Sequence, residues 1–85
     1  MARDRQRISD KQPWERAVDQ GMALIELIDE DLPSHAWDVA GDFFEDIREK
    51  VSQVVERIET TRSVTERQVA ALDGWEAGVR KWIRD

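Results

Sequence analysis

Nine carboxylates lie between Arg16 and Arg48 with no Lys or Arg among them: Asp19, Glu26, Asp29, Glu30, Asp31, Asp38, Asp42, Glu45 and Asp46. His35 is the one other titratable group in that stretch. Carboxylates can move protons, hold metal ions or present negative charge to a cationic partner, and spacing decides among the three. Catalysis of hydrolysis needs a nucleophile beside a base, or two opposed acids in a pocket. With one His, no Cys and no Gly-rich phosphate loop, the chain reads as non-enzymatic. His35 stands near Asp31, Asp38 and Asp42, yet there is no EF-hand loop, no Glu-x-x-His pair and no His-Glu-x-x-His. The spacing therefore predicts neither a dedicated metal site nor a cofactor. What remains is a one-sign field that attracts cationic surfaces and repels nucleic acid.

A run of charge on a helix is ordinarily a solvated face, and part of this one obeys that rule. Asp46 precedes Lys50 by four residues and Glu45 precedes Arg48 by three, both stabilising arrangements. Asp38 suits the start of a helix, where the macrodipole favours acids. Asp29, Glu30 and Asp31 break the rule, because they fall in the last turn of the first predicted helix, where each costs roughly 0.3–1 kcal/mol. Local rules broken without compensation tend to mark function. The candidate partner-binding surface is accordingly Asp29, Glu30, Asp31, Asp38, Asp42, Glu45 and Asp46, meeting a basic protein surface. Mimicry of DNA is a weaker match. Asp38, Asp42, Glu45, Glu49, Glu56 and Glu59 on one stripe give a charge every ~5–6 Å at the helical rise. Duplex DNA presents one every ~1.7 Å.

These acids need helices to carry them. The apolar spacing predicts an all-α, small three-helix bundle with helices over about 10–30, 35–60 and 66–84. Pro13 suits a first turn, Pro33 ends the first helix, and Ser34 is the expected N-cap of the second. Trp14, Ala17, Val18, Gly21, Met22, Ile25 and Ile28 form the first stripe, widened by Leu24 and Leu27. Trp37, Ala40, Phe44, Ile47, Val51, Val54 and Ile58 form the second, flanked by Phe43 and Val55. Val69, Leu72, Trp75, Val79 and Trp82 form the third. Ile8-Ser9-Asp10-Lys11-Gln12 matches Val64-Thr65-Glu66-Arg67-Gln68 in chemical type, so each is expected to be a capping box. Ala70, Gly74 and Gly78 on the third helix, with Ala17 and Gly21 on the first, predict close approach of those two helices.

Eighty-five residues make one domain, 1–85, and a domain this small has a thin stability margin. The four tryptophans, with Phe43 and Phe44, are expected to supply much of the core. Limited apolar burial leaves room for self-association, most simply a homodimer. The absence of Cys fits a reducing cytoplasm, and no segment approaches the ~20 apolar residues needed to span a membrane. Residues 1–9 read as a flexible basic arm before an acidic body; the start lacks the apolar core of a signal peptide. Arg80-Lys81-Trp82-Ile83-Arg84 interleaves bases with an aromatic, a pattern that stacks on single strands but more often caps a helix end.

Two blocks carry a resemblance. Trp37-Asp38-Val39-Ala40-Gly41-Asp42-Phe43-Phe44, and Val64-Thr65-Glu66-Arg67-Gln68 leading to Ala71-Leu72, resemble small helical proteins of bacteriophages and plasmids over about half the chain. In size and acidity the chain also resembles anti-CRISPR and anti-restriction inhibitors. The resemblance implies an inhibitor that binds a nucleic-acid-handling protein and blocks its working surface, and it transfers no site residue. Two other functions fit the same residues: a replication or packaging accessory touching nucleic acid through basic termini, and a structural oligomer subunit. Direct nucleic-acid binding is disfavoured by the net charge of −6.

Overall fold

Pro13 decides where the first helix begins. Gln12 before it is extended (φ −67°, ψ 153°), and its backbone N–H donates to Glu15 Oε1 at 2.8 Å. The cap is therefore built from Gln12 and Glu15 around a proline that needs no partner for its missing N–H. The computed structural model describes residues 11–84. The expected basic arm over residues 1–9, with Ser9 and Asp10, lies outside them. A capping box ending at Gln12 would require Gln12 to be helical, and its extended ψ excludes that.

Among the described residues the fold is an all-α three-helix bundle. Helix α1 spans Pro13–Glu26 and widens into a π-helical turn over Leu27–Asp31. Leu32 is then extended (ψ 131°), the geometry that a following proline imposes. Helix α2 spans Ser34–Thr61 and α3 spans Glu66–Arg84. At 28 residues α2 is about 42 Å long, so it runs along the 48 Å axis of the molecule. Helices α1 and α2 share the main interface, and α3 packs against both.

Helix α2 begins and continues in ways its sequence conceals. Pro33, not Ser34, occupies the N-cap (φ −70°, ψ 157°), and no side chain bonds the first-turn amides. Ala40 leaves helical geometry (φ −138°, ψ 33°), which kinks the helix beside Gly41. Kinks of this kind favour glycine neighbours, and the ring of Trp37 lies 3.7 Å from where a Cβ on Gly41 would stand. The far end is orthodox apart from Arg62, which takes left-handed geometry (φ 54°) while its N–H reaches Ile58 O at 2.7 Å. Thr65 then caps α3 reciprocally. Its Oγ1 accepts from the Gln68 N–H at 3.1 Å and its N–H donates to Gln68 Oε1 at 2.9 Å.

The core consists of Ala17, Leu24, Ile28, Ala36, Phe44, Ile47, Val51, Val55, Ile58, Leu72 and Val79, with no buried polar side chain among the described residues. Three expectations change here. The tryptophans are all half-buried at the edge of this core, because a bundle of this width cannot cover an indole on every side. Val55 replaces Val54 in the buried seam of α2, and Phe43 and Met22 are 50% and 55% exposed. The glycine strip of α3 is not a packing face among the described residues, since none of them lies within 4 Å of a Cβ placed on Gly74 or Gly78. Gly21 is a packing residue towards both other helices, most tightly towards α2: a Cβ there would stand 2.3 Å from Val55 Cγ2 and 3.8 Å from Leu72 Cδ2 of α3.

Candidate functional site

The acidic corner is assembled by the π turn and the first half of α2. The π turn carries Asp29, Glu30 and Asp31, all exposed, while Ile28 beside them is fully buried and fixes the turn to the core. Asp38, Asp42, Glu45 and Asp46 follow on the outer side of α2, also exposed. Phe44 anchors this half, with its ring edge-on to Trp37 (5.7 Å), Phe43 (5.4 Å) and Trp82 of α3 (5.6 Å).

Arg48 joins the two parts. Its Nε donates to Asp29 Oδ1 at 2.8 Å and its Nη2 to Asp29 Oδ2 at 3.0 Å, a two-pronged pair between the end of α1 and α2. These hydrogen bonds from Arg48 hold the Asp29 carboxyl below its ordinary pKa, and the same contact raises that of Arg48. Asp29 therefore has the compensation that its place at a helix C-terminus requires, and the expected partnership of Arg48 with Glu45 is not made. A local i, i+3 contact competes poorly with a planar fork matched to a carboxylate on the neighbouring helix.

Asp46 is also partnered, to Lys50 at 3.0 Å, the i, i+4 arrangement its spacing suggests. Glu30, Asp31, Asp38, Asp42 and Glu45 make no ion pair with another described residue. The seven candidate acids thus divide into two that are neutralised within the fold and five that are left to solvent or a partner. Two apolar side chains accompany the second group on α2: Val39 is 73% exposed and Phe43 50%. Sequence periodicity put Phe44 in the seam and Phe43 at its flank; the structure buries the first and leaves the second half exposed.

A hollow of about 450 Å³ separates the π turn from the end of α3, lined by Leu27, Asp31, Ala77, Arg80, Ile83 and Arg84. Arg80 is held by Glu76 at 2.8 Å, and Glu76 also accepts from Gln20 of α1 at 3.1 Å, as does Asp73 at 2.7 Å. These bonds tie α1 to α3 and explain the position of Arg80 without a ligand. Among the described residues no three His, Asp or Glu side chains converge to hold one metal ion. No helix among them is long and apolar enough to cross a membrane.

Compared with known proteins, the chain matches no family model, no curated protein and no solved structure.

Proposed function

We propose that this chain is a non-enzymatic, cytoplasmic binding protein that presses its acidic face on the basic surface of a nucleic-acid-handling protein. An inhibitor carried by a phage or mobile element is the form of that activity its size and acidity suggest. The observation that carries the reading is the division among the acids. Asp29 and Asp46 have cations within the fold, whereas Asp38, Asp42 and Glu45 of α2 have none among the described residues. Three carboxylates on one side of a helix repel one another, and a cationic partner removes that repulsion on binding.

The test is affinity capture from nuclease-treated lysate of the source host, wild type against the Asp38/Asp42/Glu45→Lys variant, at low and high salt. A nucleic-acid-handling protein retained by wild type, lost by the variant and released as salt shortens the Debye length from ~10 Å towards ~3 Å supports the reading. The same proteins on both baits, or none on either, sinks it and returns the acidic face to solvation.

A further inference from the structure

Val39 and Phe43 are the exposed large apolar side chains of α2 among the described residues, and their surroundings restrict what can cover them. Aliphatic and aromatic side chains at 73% and 50% exposure are the largest departures from burial on this helix. Val39 directly follows Asp38 and Phe43 directly follows Asp42 in the chain, and Asp38 and Asp42 are both exposed, so each apolar residue has a carboxylate beside it. Asp38 and Glu45 extend the charge along the same helix.

That charge disqualifies three occupants. A second copy docked face to face would bring like charges together, at a cost that rises as water leaves the interface. An anionic lipid surface and duplex nucleic acid meet the same repulsion. The remaining match combines apolar area for Val39 and Phe43 with cations for the acids around them. We infer that the first half of α2 docks a cationic amphipathic helix of a partner protein. Leucine or aromatic side chains of that helix cover Val39 and Phe43, and its Lys or Arg residues reach Asp38, Asp42 and Glu45. This rests on the reading of the acidic face as a contact surface and adds the kind of segment that it takes. Apolar anchors enclosed by charge are the usual division of labour in an interface: the anchors hold, and the charges steer and select.

The probe is a synthetic helical peptide with a leucine stripe flanked by Lys and Arg, set against a twin of equal charge whose leucines are serines. Titration into the wild-type chain should show the leucine peptide binding about tenfold more tightly. Val39→Ser and Phe43→Ser should each erase that margin while leaving the serine twin's affinity unchanged. Phe43 meets Phe44 edge-on, so its variant can lose stability; Val39→Ser, checked for an unchanged melt, carries the test by itself. Equal affinity for both peptides, abolished by Asp38/Asp42/Glu45→Lys, overturns the inference and leaves the proposed function standing. Binding of neither peptide overturns both. A shift from dimer to monomer in sedimentation on Val39→Ser overturns it too, by assigning the spot to a second copy.

Discussion

The two halves of α2 belong to one helix and follow different rules. From Ile47 to Thr61, burial, pairing and termination agree. Ile47, Val51, Val55 and Ile58 are buried, Lys50 reaches back to Asp46, and the Thr60 and Thr61 hydroxyls donate to the carbonyls of Glu56 and Arg57. From Ser34 to Glu45 the start has no side-chain cap, Ala40 breaks the helical geometry, and Val39 and Phe43 face water. Asp38, Asp42 and Glu45 have no cation there among the described residues. Agreement across levels is what folding alone produces. Departures gathered in one segment point to a second demand on the same residues.

The largest effect that could break this contrast concerns Phe44. The irregular half is held to the core by that ring and by Ala36, both fully buried. Phe44→Ala should cost about 3–5 kcal/mol, a large share of what so small a domain has. Val51→Ala in the regular half removes two buried methyl groups, about 1.6 kcal/mol by methylene count before any cavity term. Urea titration of both variants is the check. If Phe44→Ala costs less than Val51→Ala, the first half of α2 is not anchored as described, and its exposed residues reflect loose packing.

Glycines sharpen the contrast with an intermediate effect of opposite signs. At Gly21 an added Cβ meets Val55 at 2.3 Å, and a valine in a helix has essentially one rotamer to offer. Overpacking of about 1–3 kcal/mol outweighs the roughly 1 kcal/mol that alanine gains over glycine in a helix. Gly21→Ala should thus lower the melting temperature. Gly74→Ala meets open space and should raise it, by about 0.5–1 kcal/mol in stability. A destabilising Gly74→Ala would mean that the strip is covered in solution.

Those glycines also show where sequence reading stops. Small residues four apart announce that a helix face is smooth, but not whether anything lies on it. A Cβ at Gly21 would meet Leu72 of α3 at 3.8 Å, as expected, but would meet Val55 of α2 far more closely, and Gly74 and Gly78 meet no described residue within 4 Å. Features set by neighbours in the chain were legible: the Thr65–Gln68 cap, the proline boundaries, most of the α2 seam, and the concentration of acid. Features set by competition across the fold were not. Arg48 had a local acid at Glu45 and took Asp29 instead, so the acids that remain unpaired could not be known from spacing. The kink at Ala40 was hidden because a glycine inside a helix, such as Gly41, has no obligatory effect on its direction.

Asp29 and Arg48 sit at the junction of the two halves and give the smallest, most discriminating prediction. Two effects oppose each other at Asp29. A carboxylate in the last turn of α1 faces the negative end of the helix dipole, and the fork of Arg48 favours the same charge. The hydrogen bonds from Arg48 outweigh the desolvation of the carboxyl and lower its pKa. A group whose pKa is lower folded than unfolded contributes stability above its unfolded value and loses it as pH falls through the folded one. Arg48 stays protonated throughout, so its raised pKa adds no slope in that range. Asp29→Asn should therefore destabilise at neutral pH by about 0.2–1 kcal/mol, since the pair is partly exposed. That difference should shrink below the ordinary carboxylate range and vanish under the lowered pKa. Arg48→Met should cost more at neutral pH, because it leaves Asp29 facing the dipole alone. Melting curves of the three proteins across acid pH at fixed salt measure both. If Asp29→Asn is as stable as wild type at every pH, Arg48 does not neutralise Asp29 in solution, and that acid rejoins the unpaired group facing the partner.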